Sequence, residues 1–460
     1  MDRVLVMGLG KSGLAAIDLL KNKYPETCIC AWDTKPAEKF DAAVIGILKD
    51  AGVELFLGPE AAERLQKENA EGSFARVIIS PGIRSDHPLT RLGKELIGEL
   101  ELAYENSNKN FIAITGTNGK TTTTTLVGEI LKASEIPCRV VGNIGDPVSA
   151  EVLNAPDDAV MVAEVSSFQL ETIRDFKPHI AAILNVTPDH LDRHGTVEEY
   201  TRIKGEVYRN QDYADFLIYN EDDPGALSLA EKNTKSLLVP FSASKDAEHF
   251  VMVPNAAYVK DGFITVKRNG REKKLCRPGE LIIPGLHNLE NALAAAAIAI
   301  FAQARAGAVS KTLRTFRGVE HRMELVRTLR GVRFVNDSKG TNPDSTIKAI
   351  KATDTPIILI AGGYEKNSDF GGLIDNFDGK VEYLVLLGAT AERIKAAAVE
   401  RGFDEKNIIR CDSLEACVAA AAKLAAKGDT VLLSPACASW DMFRSYEHRG
   451  EEFKRVVKSL

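Results

Sequence analysis

Phe111-Ile112-Ala113-Ile114-Thr115-Gly116-Thr117-Asn118-Gly119-Lys120-Thr121 is the stretch that decides the fold. A short apolar, β-branched run leads directly into a loop with two glycines, a lysine and a hydroxyl, and threonines 121–125 then open a helical pattern. Strand, glycine loop and helix in that order read as a phosphate-binding loop, with a Gly/Thr-rich strand-to-helix turn as the plain alternative. The glycines let backbone N–H groups turn toward phosphate oxygens, Lys120 neutralises the β and γ groups, and the Thr121 hydroxyl suits Mg²⁺. Ile114 stands where the usual pattern has its first glycine. Threonine is a mediocre helix former, so the threonine run points to a functional demand at the first helical positions.

The same α/β texture extends in both directions. Val4 to Met7, the turn Gly8 to Gly13, a helical stretch Leu14 to Leu20 and a strand Cys28 to Trp32 make a β-turn-α-β unit, with a later strand at Val77 to Ile79. That block closes near residue 101. The middle block adds strands at Val160 to Val165 and Ile180 to Val186. Between 235 and 280 the pattern changes. Tyr258 to Lys260, Asp261-Gly262, Phe263 to Lys267 and Asn269-Gly270 read as antiparallel hairpins, a small β insertion beside the main sheet. An alanine-rich helix is expected from Leu289 to Ala306. The last block has strands at Val332 to Val335, Ile357 to Ala361, Tyr383 to Leu387 and Thr430 to Leu433, and Asn342-Pro343 opens a helix. The expectation is three α/β domains: Rossmann-like 1–101, P-loop ATPase-like 102–315 and Rossmann-like 316–460. Ligands belong at strand C-termini and in the clefts between domains.

Bulk properties narrow the class. A chain of 460 residues, 45% hydrophobic and 27% charged, is an ordinary globular protein too long for one core. A net charge of −6 argues against a coat for nucleic acid or anionic membrane, while leaving room for local phosphate pockets. Seven cysteines without CxxC spacing read as buried thiols in a reducing cytosol. The longest apolar run, Ala292 to Ala302, is too short to span a bilayer, and the N-terminus reads as a strand, not a signal peptide. The expected partners are small molecules in the cytoplasm, with no nucleic acid and no membrane insertion.

Gly8-Leu9-Gly10-Lys11-Ser12-Gly13 matches GxGxxG after a strand, with Asp33 placed 20 residues beyond Gly13. These are the parts of a dinucleotide site, yet a UDP-sugar carries the same diphosphate and ribose. A tight turn packing a helix on a sheet would look the same. In the P-loop block, Glu164 closes an apolar strand and His190 follows Asp189 just past the next one. Each alone reads equally as a capping or surface group; at successive strand ends they read as Mg²⁺ ligands. Lys204, in Tyr200-Thr201-Arg202-Ile203-Lys204, is by itself a solvated helix lysine.

Gly116 to Thr122, Glu164-Val165-Ser166-Ser167-Phe168-Gln169-Leu170-Glu171 and Asn185 to Arg193 together resemble the Mur ligases of bacterial cell-wall synthesis, as do Pro284 to Asn288 with Asn291 and His321-Arg322-Met323-Glu324. The resemblance spans essentially the whole chain. Gly8 to Gly13, Trp32-Asp33-Thr34, Asn336 to Asn342, Gly362 to Lys366 and Leu433 to Ser439 are most similar to the member that adds D-glutamate. The DNPR-type motif of relatives that add diamino acids is missing from the sequence.

The resemblance implies ATP-dependent joining of D-glutamate to UDP-N-acetylmuramoyl-L-alanine through an acyl phosphate, in peptidoglycan precursor synthesis, by a monomer. Gly116, Thr117, Asn118, Gly119, Lys120, Thr121 and Thr122 would cradle ATP, with Asn288 on adenine and Arg322 and Asp337 on the nucleotide. Lys11, Ser12, Asp33, Thr34, Lys35, Ser80 and Gly82 would hold the uridine diphosphate. Asn143 and His190 would lie along the muramoyl-peptide, with Ser166 and Gln169 also on substrate. Lys339, Thr341, Lys366, Ser439 and Tyr446 would take the carboxylates, chiefly those of D-glutamate; the family commonly has phenylalanine where Tyr446 stands. Thr121, Glu164, His190 and Lys204 would ligate two magnesium ions, Lys204 as a carbamate formed from CO₂. Catalytic roles would fall to Lys120, Asn143, His190 and Lys204, and the last domain would swing onto the central one. The alternatives are another amino-acid-adding ligase of the family, a folylpolyglutamate synthase, an NAD-dependent oxidoreductase and a non-catalytic nucleotide sensor.

Overall fold

The computed structural model describes residues 3–233, 235–364 and 368–460. The first sheet holds β1 (Arg3–Met7), β2 (Cys28–Asp33), β3 (Glu54–Leu57), β4 (Phe74–Ile79) and β5 (Gly93–Gly98). All are parallel, in the order β3-β2-β1-β4-β5. Val4 to Met7 are buried on both faces, as a central parallel strand requires. The helix Lys11–Lys23 buries Ala15, Ala16, Ile17, Leu19 and Leu20. Strand order reverses between β1 and β4, so a crevice opens beyond Gly8 and Ser80.

The second sheet comprises β6 (Phe111–Thr115), β7 (Cys138–Gly142), β8 (Val160–Glu164), β9 (Ile180–Ile183), β10 (Phe216–Asn220), β11 (Leu237–Phe241), β12 (Ala256–Lys260), β13 (Phe263–Arg268) and β14 (Arg271–Lys274). Its order is β14-β13-β12-β11-β10-β9-β6-β8-β7, with β6 parallel to β8 on one side and β9 on the other. The hairpins form where expected, and Asp261, Gly262, Asn269 and Gly270 all take positive φ, as two-residue turns of this kind need. They do not lie beside the sheet. Phe241 pairs with Ala257, so the hairpin strands extend it. The alanine-rich helix also differs from expectation: it runs Leu286–Phe301, and a separate helix follows at Ala306–Thr315. The break is a left-handed stop. Gln303 has φ +67°, and the N–H of Ala304 reaches back to Ala299 O at 2.8 Å.

The third sheet holds β15 (Glu324–Leu329), β16 (Val332–Asn336), β17 (Ile357–Ala361), β18 (Val381–Leu386), β19 (Ile408–Arg410) and β20 (Thr430–Leu433), ordered β15-β16-β20-β17-β18-β19. Only the edge strand β15 is antiparallel. Asn342 caps the helix Pro343–Lys351 by accepting the Ser345 N–H at 2.8 Å. The chain divides into two compact units, one of residues 1–186, 198–278 and 290–313, the other of 187–197, 279–289 and 314–460. The first two sheets thus share one unit. Five of the seven thiols are buried as expected, while Cys28 is exposed and Cys411 half-buried. Among the described residues no helix is long and apolar enough to cross a membrane.

Two buried carboxylates knit the first unit together. Glu99 and Glu101 open the helix Glu99–Glu105 that follows β5. Glu99 accepts the Ser149 N–H in the first turn of the helix Val148–Asn154. Glu101 accepts the N–H groups of Arg174, Asp175 and Phe176 at 2.8, 2.7 and 3.1 Å. Burial pushes both carboxyls above their ordinary range, and these donors oppose the push. Glu101→Ala would strand three amides, at an expected cost of about 2–4 kcal/mol. Urea denaturation should show an earlier transition for the first unit, and Glu101→Gln, which keeps an acceptor, should recover part of the loss.

Candidate active site

The phosphate loop is built by two glycines and one asparagine. Gly116 and Gly119 have φ of +153° and +83°, and a Cβ at Gly119 would stand 2.3 Å from Asn291 Oδ1. Asn185 secures the loop from the neighbouring strand. Its Oδ1 accepts the Asn118 N–H at 2.8 Å, its Nδ2 donates to Asn118 O at 3.0 Å, and its carbonyl accepts the Thr117 N–H at 3.0 Å. Thr117 Oγ1 lies 3.2 Å from the Tyr200 hydroxyl. Lys120 folds back over the loop, its Nζ donating to Gly116 O at 2.8 Å and Thr117 O at 2.9 Å. Thr122 is buried in the helix behind.

Sheet register delivers a carboxylate to this loop. Glu164 ends β8, opposite Ile114 of β6 and Gly142 of β7. A Cβ on Gly142 would come within 2.4 Å of Glu164 O, so only glycine lets the strands close there. Glu164 is buried, and its two oxygens accept from Thr121 Oγ1 and Asn143 Nδ2, each at 2.7 Å. A hydroxyl and a carboxylate beside a phosphate loop are the hard oxygen donors Mg²⁺ prefers, so this pair fits the metal. Lys204 is not solvated: it is 1% exposed, and its Nζ donates to Gly116 O at 2.8 Å and stands 4.5 Å from the Tyr200 ring centre. Thr121, Asn143 and Glu164 are thus joined by hydrogen bonds, and Lys120 and Lys204 meet at one carbonyl. Ser166 and Gln169 form a reciprocal capping box on the short helix Ser167–Leu170.

The glycine-rich turn of the first sheet divides its labour. Gly13 is required by packing, since a Cβ there would meet Gly8 O at 1.8 Å. Gly10 has nothing within 4 Å of such a Cβ and caps the helix that Lys11 and Ser12 begin, leaving its approach open to a ligand. Ser80 Oγ donates to Gly8 O at 3.2 Å across the switch point. Asp33 clamps the turn, with Oδ2 accepting the Leu9 N–H at 2.8 Å and Oδ1 the Lys35 N–H at 2.9 Å. Thr34 and Lys35 are exposed beside it, and Gly82 follows β4 with open space around it.

The remaining candidates lie in the second unit. His190 takes a left-handed φ of +54°, its N–H donating to Asp189 Oδ1 at 2.9 Å and its ring Nε2 lying 3.7 Å from Asp189 Oδ2. Asn342 Nδ2 holds that same carboxylate at 3.0 Å. Asn288 Nδ2 donates to Pro284 O at 2.7 Å. Arg322 reaches Asp337 Oδ1 at 3.4 Å and also donates to the Ser345 hydroxyl. Asp337 is wholly buried, which pushes its carboxyl up, while Arg322 and the Ser434 hydroxyl, 2.7 Å from Oδ2, draw it down. Lys339 Nζ donates to the Tyr446 hydroxyl at 3.1 Å. Thr341 lies two residues further along the same loop, its N–H on Lys339 O, and Ser439 is buried beyond β20. Lys366 lies outside the described residues. Asn185 and Asp189, which hold the loop and His190, stand in the sequence only as members of a motif.

A Mur ligase middle domain matches residues 114–299, and a Mur ligase glutamate ligase domain matches residues 321–437. A UDP-N-acetylmuramoylalanine–D-glutamate ligase of Caldanaerobacter subterraneus subsp. tengcongensis is 46% identical over 100% of this chain and 98% of its own. The chain belongs to the Mur ligase family. A ligase of the same printed name from a Thermoanaerobacter species is 45% identical, again over 100% of this chain and 98% of its own. In fold, this Mur ligase is similar to MurF from Acinetobacter baumannii, with a TM-score of 0.63 at 16% identity, covering 100% of this chain and 93% of the other. It is therefore an ATP-dependent enzyme that forms amide bonds.

Asn185→Ala in this Mur ligase would release the loop from its neighbouring strand. Calorimetry is expected to give about tenfold weaker ATP binding, the worth of one to two lost hydrogen bonds. The melting temperature should move little, because the strand itself is held by its ladder.

Proposed function

We propose that the chain joins D-glutamate to UDP-N-acetylmuramoyl-L-alanine, driven by ATP, in peptidoglycan precursor synthesis. The observation that carries this reading is end-to-end identity of 45–46% with ligases of that printed name. The phosphate loop and the Thr121–Glu164 pair supply the matching chemistry. Residues 1–101 take the nucleotide sugar, 102–315 the ATP and 316–460 the amino acid. On this reading Gly8 to Gly13 cradle the diphosphate of a UDP-sugar and not a nicotinamide dinucleotide. The substrates are nucleotide-linked precursors of the bacterial cytoplasm, and the chain works as a monomer.

A carboxylate is a poor acyl donor because oxide is a poor leaving group. In the proposed reaction an oxygen of the L-alanyl carboxylate attacks the γ-phosphorus in line, the bond to ADP breaks, and an acyl phosphate forms. The amine of D-glutamate then attacks the acyl carbon and gives up a proton, and the tetrahedral intermediate expels phosphate to leave the amide. Loop N–H groups and Lys120 hold the β and γ phosphates, Lys120 leaving the carbonyls of Gly116 and Thr117 to do so. Thr121 and Glu164, with His190 as a further ligand, would hold Mg²⁺, whose charge would offset that on the transferring group. Asn143 and His190 are assigned to the acceptor, and Lys339, Thr341, Lys366, Ser439 and Tyr446 to the carboxylates of D-glutamate. The protein is to be incubated with ATP, Mg²⁺ and UDP-N-acetylmuramoyl-L-alanine, with D-glutamate, L-glutamate or L-alanine added separately. Phosphate release and a product mass increase are expected with D-glutamate alone. Turnover of UDP-N-acetylmuramate with L-alanine instead would refute the assignment.

Lys204 is proposed to carry a carbamate. The neutral amine attacks CO₂, an N–C bond forms and a proton leaves, so a cation becomes an anionic oxygen donor. Burial, and a second lysine on the same carbonyl, both make an ammonium costly at this position. Lys204→Ala is expected to lower kcat by about 10²-fold or more, as for loss of a charge-stabilising group, and short carboxylic acids should restore part of it. Full activity in that variant would overturn the idea.

A further inference from the structure

Arg449, in the first turn of the helix Tyr446–Ser459, is 1% exposed and among the described residues forms no ion pair. Its partners are neutral. Nε donates to Ser338 Oγ at 3.0 Å, Nη2 to Ser338 O at 2.8 Å and Cys437 O at 3.2 Å, and Nη1 to Cys437 O at 3.2 Å and Ala438 O at 3.3 Å. Gly363 lies against the same group: a Cβ there would stand 3.3 Å from Nη1 and 2.3 Å from Ala438 O. The Tyr364 N–H donates to that same carbonyl at 2.8 Å.

Ser338, Gly363 and Ala438 lie in the loops that follow β16, β17 and β20, three adjacent strands of the third sheet. Lys339 and Ser439 come immediately after two of these contacts, and Tyr446 begins the helix that carries Arg449. Ser338 Oγ also donates to Tyr446 O at 2.8 Å, and Lys339 Nζ to the Tyr446 hydroxyl, so the same group of residues closes on itself. Burying a guanidinium is expensive, and burial draws Arg449 down from the usual arginine value to about 10, while Cys437, Asp441 and Asp337 draw it part of the way back. A hydrocarbon of the same shape would avoid that cost. What it could not supply is a planar fork that ties carbonyls of separate loops.

We propose that Arg449 is a positioning residue for the amino-acid site: its guanidinium ties the loops after β16 and β20, against which the β17 loop lies, and so sets the pocket that takes a dicarboxylate amino acid. This rests on the D-glutamate reading given above. The test is steady-state kinetics of Arg449→Lys and Arg449→Met in the full chain, varying D-glutamate, ATP and the nucleotide sugar in turn. For Arg449→Met the KM for D-glutamate is expected to rise about tenfold or more, the scale of one or two charge-assisted hydrogen bonds. The KM for the nucleotide sugar should stay within about twofold, and that for ATP should rise less than that for D-glutamate, since Asp337 alone of these loops is given to the nucleotide on the reading above. Arg449→Lys, which keeps the charge and loses the fork, should recover part of the rise. Ser338→Ala removes a single acceptor from the guanidinium and serves as the second variant should Arg449→Met not fold, with the same selective effect on a smaller scale. A uniform rise in all three KM values, or a lowered melting temperature with the D-glutamate KM unchanged, would overturn the proposal. Failure of the wild-type enzyme to use D-glutamate would refute the functional reading instead, and the same KM ratio is then read with the amino acid it does accept.

Discussion

The carbonyl oxygen of Gly116 takes hydrogen bonds from two lysines that are distant in sequence, Lys120 and Lys204. Its position is set by a left-handed glycine at the end of a fully buried strand and by Asn185, which ties the loop to the next strand over. From that point the rest of the first unit's chemistry follows. Glu164 arrives through strand register, Thr121 through the first turn of the helix, and Asn143 through the Gly142 bend, where no side chain fits.

The three sheets solve one recurrent problem, the presentation of polar groups at the C-terminal ends of parallel strands. In the first, Gly8 and Ser80 meet across the reversal of strand order. In the second, the phosphate loop leaves a strand with parallel neighbours on both sides. In the third, the loops after β16, β20 and β17 converge on one arginine. Apolar strands buried on both faces hold each arrangement rigid, so the polar residues sit at strand ends without weakening the core.

Most of this was legible in the sequence where a local rule governs. Phe111 to Thr115, Ile357 to Ala361 and Thr430 to Leu433 form strands over the residues read, because each is a short apolar run bounded by turn residues. The hairpin turns were visible from Asp-Gly and Asn-Gly. What was illegible is set by partners distant in the chain. The side chain of Lys204 gives no local sign that it is buried, and Arg449 resembles any helix arginine until three loops are seen around it. The pairing of β11 with β12 rests on one register position and has no pattern of its own. The helix ending at Phe301 stops at Gln303, a residue not usually found in a left-handed cap, so no glycine announced it.

The folded-back Lys120 has a consequence for which phosphates it takes. Its ammonium donates to two carbonyls of the loop's own backbone, so a ligand that draws it away must replace both contacts. An incoming ligand must offer enough phosphoryl oxygens to replace two carbonyls, which a triphosphate does better than the orthophosphate released at the end of a cycle. The two carbonyls thus act as a threshold that ranks phosphate ligands by how many oxygens they bring.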